Sequence, residues 1–469
     1  MALAILKGGA NKMSFYLDYA KADFGDERSS NRMVAILEQL ASDPTASISA
    51  ACMDPYQAKA AYRFLSNEDV TVEEITKITR DVTINLINES KPSVVLIPQD
   101  TTGVNYSGLL ATEGLGSIGN AKNALGIQVH SAVAIGENGE IFGLLAQKFW
   151  TRPPEDFGKS EGRDAKPIEE KESNKWLETL VNAGASLQTG TKAVHICDRE
   201  GDIYELFCMA KRESHSLLCR KCYNRNIEEE SGSEKLDELI NAHPVDGKII
   251  IEVPRDSHTN RKERNAEIAI KFGKCRITKP VQLVSSKDLP KSIEVYFVSA
   301  EEIDPPPGQE KILWNLITNV PTDSLEDAVT RIAWYTQRWK IELFHRTLKS
   351  GCNVEKLQSS TAEKLKKLIA IYSIIALQLM HLSYAARMHP DESCETYLSE
   401  EEWKILYCVA NKTRELPESA PTILEAVIMI AKLGGFLARK SDGFPGVTVI
   451  WRGLTRLYTI LDAAPFLSV

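Results

Sequence analysis

Tyr335-Thr336-Gln337-Arg338-Trp339-Lys340-Ile341-Glu342-Leu343-Phe344-His345-Arg346-Thr347-Leu348-Lys349 sets one carboxylate among two arginines, a lysine and a tyrosine at helical spacing. At about 100° per residue, Tyr335, Arg338, Glu342, Arg346 and Lys349 fall within roughly 80° of one helix face. Trp334, Ile341, Phe344 and Leu348 form the neighbouring stripe. The pattern predicts a helix packed on a core, with its charged face turned to something polyanionic. One acid is outnumbered by cations, so either the acid has a metal to bind or the cations have phosphates to hold.

Two further acids follow predicted strands. Val94-Val95-Leu96-Ile97 reads as a short buried strand that ends in Gln99-Asp100-Thr101-Thr102-Gly103, and Ala193-Val194-His195-Ile196-Cys197 as another that ends in Asp198-Arg199-Glu200-Gly201-Asp202. At the edge where strands of one sheet end, loops and helices converge, so Asp100, Asp198 and Glu342 can meet there. Hard divalent cations such as Mg²⁺ need oxygen ligands of this kind. Each acid also has a plainer reading. Asp100 fits a turn in which Asp bonds its own backbone, Asp198 a loop before a helix cap, and Glu342 an i±4 ion-pair ladder with Arg338 and Arg346. Only the combination of the three favours a site.

The chain has 469 residues, 43% of them hydrophobic, enough for a large core and about three domains. Its N-terminal apolar run is too short for a signal sequence, and the stretch from Leu368 to Leu377 is well short of the ~20 residues of a membrane span. A non-membrane, cytoplasmic protein is expected. Nine scattered cysteines, with Cys219 and Cys222 the single close pair, fit free thiols in a reducing compartment better than a zinc or redox site. The net charge of −8 excludes general polyanion binding. Two segments are nevertheless basic: Arg331 to Lys349 has five Lys or Arg against one acid, and Arg255 to Lys279 has eight against three. They suggest a phosphate-binding groove.

Helical periodicity spans Phe24 to Val70. After Glu73 come the strand at 94–97, a hairpin around Gly136-Glu137-Asn138-Gly139, a helix over 173–187 and the strand at 193–197. That order begins an α/β sheet. Strand-like segments fill 217–313, Asp323-Ser324 is a helix N-cap candidate, and helix returns after Ala362. Ile450, Leu454, Leu457 and Leu461 form an apolar stripe for a partner helix or the protein's own core.

Tyr335, Arg338, Glu342 and Lys349 reproduce the Y-x₂-R-x₃-E-x₆-K signature of bacterial insertion-sequence transposases of family four, and the chain resembles that family's transposon-five branch over nearly its whole length. Gln99 to Thr102, Cys197 to Asp202 and Trp339 to His345 are similar to its three acid-bearing motifs; Gly25 to Arg28, Ala61 to Phe64 and Lys432 to Phe436 are similar to its terminal segments. The resemblance implies a ribonuclease H-like α/β core with a β-rich insertion, flanked by all-helical N- and C-terminal domains: an end-binding domain at 1–73, a catalytic domain at 74–385 with the insertion at about 206–312, and a dimerisation domain at 386–469. It implies that Asp100, Asp198 and Glu342 hold two Mg²⁺ ions, with Mn²⁺ able to substitute, and that Tyr335, Arg338, Arg346 and Lys349 hold phosphates of the transposon end. Arg346 stands where the related enzyme has lysine. Trp314 matches a base-stacking tryptophan, though it also reads as part of a buried strand; Arg220 matches a DNA-contacting arginine of the insertion; Arg28, Arg32 and Arg63 match the basic face of the N-terminal domain. The expected activity is Mg²⁺-dependent cut-and-paste transposition on double-stranded transposon ends and target DNA, by a homodimer assembled on DNA and associated with the bacterial nucleoid. The alternative is a catalytically silent transposase that acts as a DNA-binding regulator.

Overall fold

The computed structural model describes residues 16–467, apart from 44–45, 53, 120–122, 154–165, 185–186, 188–189, 231–232, 254–261, 284–287 and 440–441. Part of the basic run, Arg255 to Arg261, lies outside the described residues. The chain opens with helices α1 (Glu27–Ser42), α2 (Ile48–Ala51), α3 (Pro55–Ser66) and α4 (Val72–Ser90). Asp26, Ser47, Asp54 and Thr71 cap them, each side chain accepting an otherwise orphaned backbone N–H of the first turn. Periodicity located α1 and α3 but did not single out the short α2. It missed α4, which lies where only a change of texture was read.

The core sheet follows: β1 (Val94–Asn105), β2 (Gly116–Ser117), β3 (Leu125–Gly136), β4 (Ile141–Trp150), then α5 (Asn174–Gly184), β5 (Lys192–Cys197), α6 (Tyr204–Arg212) and β6 (Ser216–Arg220). β3 pairs antiparallel with β4 and β1, while β1, β5 and β6 run parallel. This is a three-stranded meander extended by two crossover strands. Its outer strand, β6, falls inside the segment that the sequence assigned to the insertion, yet it pairs directly with β5 and is a core strand.

The remaining strands and their helix are β7 (Asn226–Glu230), β8 (Ser233–Lys235), α7 (Leu236–Ala242), β9 (Gly247–Val253), β10 (Arg264–Thr278), β11 (Ser292–Glu302) and β12 (Leu313–Thr318). They form no separate sheet. β12 joins β6 antiparallel, and the order β2-β3-β1-β5-β6-β12-β11-β10-β7-β8, with β4 on β3 and β9 on β10, makes one sheet of twelve strands.

Helices α8 (Leu325–Thr336) and α9 (Trp339–Arg346) lead into α10 (Ala362–Met388), α11 (Glu400–Asn411), α12 (Ile423–Leu433) and α13 (Val447–Leu467). α10 is long and apolar enough to cross a membrane, but 83% of its most apolar stretch is buried within the protein, where it touches α1, α3, α4, α9, α12 and α13. On α13, Ile450 and Leu457 are fully buried and Leu454 and Leu461 partly so, which assigns that stripe to the protein's own core.

Candidate active site

The opening segment is not one regular α-helix. α8 ends at Thr336, and the amides of Gln337, Arg338, Lys340 and Ile341 bond three residues back, which tightens the chain into a 3₁₀ turn before α9. Residues three apart are superposed in such a turn, so Tyr335 and Arg338 come into line. Beyond Arg346 the backbone widens into a π-turn over Thr347–Gly351, with the Cys352 amide bonded to the Thr347 carbonyl at 2.9 Å. Lys349 therefore leaves the ideal face and pairs with Glu355 at 3.8 Å. The apolar stripe is as expected: Ile341, Phe344 and Leu348 have no exposed surface, and Trp334 is buried.

Asp100 lies within β1 and not in a turn after it, since β1 pairs with β3 through Asn105. The parallel pairing with β5 runs from Val94↔Lys192 to Pro98↔Ile196 and then stops. Continued for two residues, that register would set Asp100 level with Asp198 and on one face. Asp100 accepts the Thr101 amide at 2.8 Å, and Asp198, at the tip of β5, accepts the Glu200 amide at 2.8 Å. The plainer reading of Asp198 as a cap thus holds, while Asp100 bonds its neighbour's amide from within a strand and not from a turn. The Asp100 carboxyl is raised to about 6, chiefly by burial; the Thr101 amide and Arg338 oppose the rise, while Asp198 and Glu342 add to it. The three acids share one electrostatic field.

Glu342 is ion-paired with Arg338. Burial opposes the charge on that guanidinium, but Tyr335, Glu342 and Asp100 hold its pKa above the ordinary value. Among the described residues no three acidic, histidine or cysteine side chains close into a metal cage. The Glu342 carboxylate is spent instead on the Arg338 guanidinium. The donor set still suits a hard divalent ion: three carboxylates, of which Asp100 is disfavoured as an anion by burial and by its like-charged neighbours, a penalty that a bound cation relieves.

The flank is continuous with this site. The Trp314 ring, half-buried on β12, meets Tyr335 edge-on at 5.9 Å, and Arg220 on β6 donates to the Leu313 carbonyl at 3.2 Å. Arg220, Arg338 and Asp198 all act on the buried Tyr335 hydroxyl. Arg346 is exposed at the end of α9. Arg28, Arg32 and Arg63 are not brought to the acids; they lie on α1 and α3, where Arg32 donates to Gln57 at 2.5 Å and Arg63 lines an open groove of about 600 Å³ with Lys59 and Tyr62.

Three cations of the second basic segment are ion-paired: Arg264 with Glu302, Lys274 with Glu294 and Arg276 with Glu228, at 2.8–2.9 Å. Neighbouring antiparallel strands set these charges beside acids, which composition could not reveal. Sequence reading also gave no role to His345, buried with Nδ1 3.8 Å from Asp100 and held neutral by burial at about 3, nor to the buried side chains of Gln99, His130 and His195 behind the acids. Histidines inside apolar strand segments were the available signal.

Three family profiles match the chain: transposase DNA-binding over residues 17–70, transposase DDE domain over 237–379, and transposase Tn5 dimerisation domain over 374–468. The second includes Glu342 but neither aspartate. Among solved structures, a piggyBac transposase synaptic complex with hairpin DNA aligns at a TM-score of 0.34 and 10% identity, covering 100% of this chain and 78% of that one.

Proposed function

This chain belongs to the Tn5-type DDE transposases, and on that premise we propose that it excises a DNA element at inverted terminal repeats and inserts it elsewhere, using Mg²⁺ held by Asp100, Asp198 and Glu342. It is a DNA-binding enzyme that acts as a dimer. The observation that carries the proposed site is the shared field of the three acids at the end of the β1–β5 pairing. Two divalent ions bound there supply charge stabilisation for the attacking and leaving oxygens of an in-line displacement at phosphorus.

The chain's own residues present the phosphate. Arg338 offers a forked contact, Lys349 and Arg346 add charge, and Tyr335 a neutral donor. A phosphate that takes Arg338 releases Glu342 towards the aspartates, so DNA binding and completion of the site are coupled. Trp314 offers a π-face for a base turned out of the duplex, a contact worth ~1–3 kcal/mol. The reaction sequence is hydrolysis at the element's 3′ end, attack of the freed 3′ hydroxyl on the opposite strand to give a hairpin, hydrolytic opening, and attack of the same hydroxyl on target DNA. Arg28, Arg32 and Arg63 serve end recognition.

Incubation of the purified protein and Mg²⁺ with a supercoiled plasmid carrying the gene and its native flanking DNA tests this. Excised linear element with hairpin ends, and its insertion into a second plasmid, are expected. Binding without any nick would instead identify a silent regulator, and cutting without joining a nuclease.

A further inference from the structure

Directly behind the acids, on the opposite face of the sheet, the core turns polar. Leu96 and Val104 of β1, and Val194 and Ile196 of β5, share the parity of Asp100 and Asp198 and pack with Ile341 and Phe344 of α9. Gln99, Thr101 and His195 have the other parity, and their apolar neighbours Val95, Ile97 and Ala193 pack with Ile87 of α4. Gln99, His130 and His195 have no exposed surface.

These side chains form one continuous hydrogen-bond chain. The Thr101 hydroxyl lies 2.9 Å from His130 Nδ1, His130 Nε2 lies 3.3 Å from Gln99 Oε1, and Gln99 Nε2 lies 2.8 Å from His195 Nδ1. The amide fixes the polarity, because its oxygen only accepts and its nitrogen only donates. His130 donates from Nε2 and accepts the Thr101 hydroxyl proton at Nδ1, while His195 accepts at Nδ1. Burial lowers both imidazoles, His195 to about 3, so both are neutral as this pattern requires. α5 clamps both ends: the Trp176 ring meets His130 edge-on at 4.7 Å, and Gly184 leaves room for His215, whose ring stands 5.4 Å from His195.

Thr101 joins the two faces. Its hydroxyl belongs to the chain behind the sheet, and its amide donates to Asp100 Oδ1 at 2.8 Å. The chain links β1, β3 and β5 at the level where the β1–β5 ladder has run out and no backbone bond ties Asp100 to Asp198. Apolar side chains would hold the sheet together without the cost of burying polar groups, a cost that is left unrelieved at His195 Nε2, which is buried without a partner; what the polar chain adds is a single fixed geometry from Thr101 to His195 Nδ1.

We propose that the Thr101–His130–Gln99–His195 chain is a positioning device that holds the Asp100 carboxylate level with Asp198 for divalent-ion binding and strand cleavage. This rests on the assignment of Asp100 to the active site. Thr101→Val keeps the β-branched volume and removes only the hydroxyl. Three quantities are measured: nicking rate on the flank-bearing plasmid at saturating protein, Mn²⁺ affinity of the DNA-free protein by electron paramagnetic resonance, and the thermal midpoint. Thr101→Val should bind the plasmid as the wild type does, while nicking rate and Mn²⁺ affinity each fall about tenfold or more and Thr101→Ser recovers both. A fall explained by the thermal midpoint alone, an equal loss in Thr101→Ser, or wild-type behaviour of Thr101→Val beside an inactive Asp100→Ala overturns the proposal. Should Thr101→Val not fold, Gln99→Leu, which severs the chain one link on, carries the same expectations. Full activity in Asp100→Ala would overturn the site assignment itself.

Discussion

Asp100 carries the clearest consequence of the site's electrostatics. Its carboxyl titrates at about 6 in the folded protein, against ~3.9 in an unfolded chain. The folded state thus prefers the proton. The group's favourable contribution is complete below pH ~4, fades as pH rises from ~4 to ~6, and leaves the ionised form costing about 3 kcal/mol at neutral pH without metal. Asp100→Asn should accordingly raise stability to urea at pH 7 in chelator and leave it nearly unchanged at pH 4. An equal effect at both values would remove the shared-field argument. Cation binding should strengthen between pH ~5 and ~7, because the ligand must first lose its proton.

At the scale of elements, the acids' strands and α9 were legible because buried strands and an amphipathic stripe leave periodic traces. Their irregularities were not. The 3₁₀ turn at Gln337-Arg338 and the π-turn after Arg346 depend on tertiary packing around Ile341, Phe344 and Leu348. β1 runs on through Asp100 because β3 pairs with it there, and sequence around residue 100 alone reads as a turn. The ion pairs of β10 were likewise invisible until its neighbours were known. Replacing Lys274 and Arg276 together by Gln should leave the salt dependence of DNA binding unchanged, as their charge is already spent on Glu294 and Glu228. If they held phosphates, the slope of log K against log salt would fall by about two. Arg264→Ala differs, because it strands the buried Glu302 and should cost about 3–5 kcal/mol of stability in urea unfolding.

Across the whole molecule, one sheet of twelve strands carries both the acids and the flank that bears Trp314 and Arg220, while α10 joins the N-terminal helices to the C-terminal ones. The order of elements announced an α/β core, but the merging of core and insertion into one sheet comes from the β6–β12 pairing, a long-range contact without a local signature. The central claim is that acids 98 and 144 residues apart in sequence, Asp100 with Asp198 and Asp198 with Glu342, act as one centre. Asp198 tests it most directly, since it lies outside the matched DDE segment and its place beside Asp100 follows from strand register. The decisive measurement is the Mg²⁺-dependent nicking rate of Asp198→Ala on the flank-bearing plasmid, at a concentration where plasmid binding is saturated. A loss of at least about a hundredfold with binding intact is expected, and a rate near that of the wild type would contradict the account.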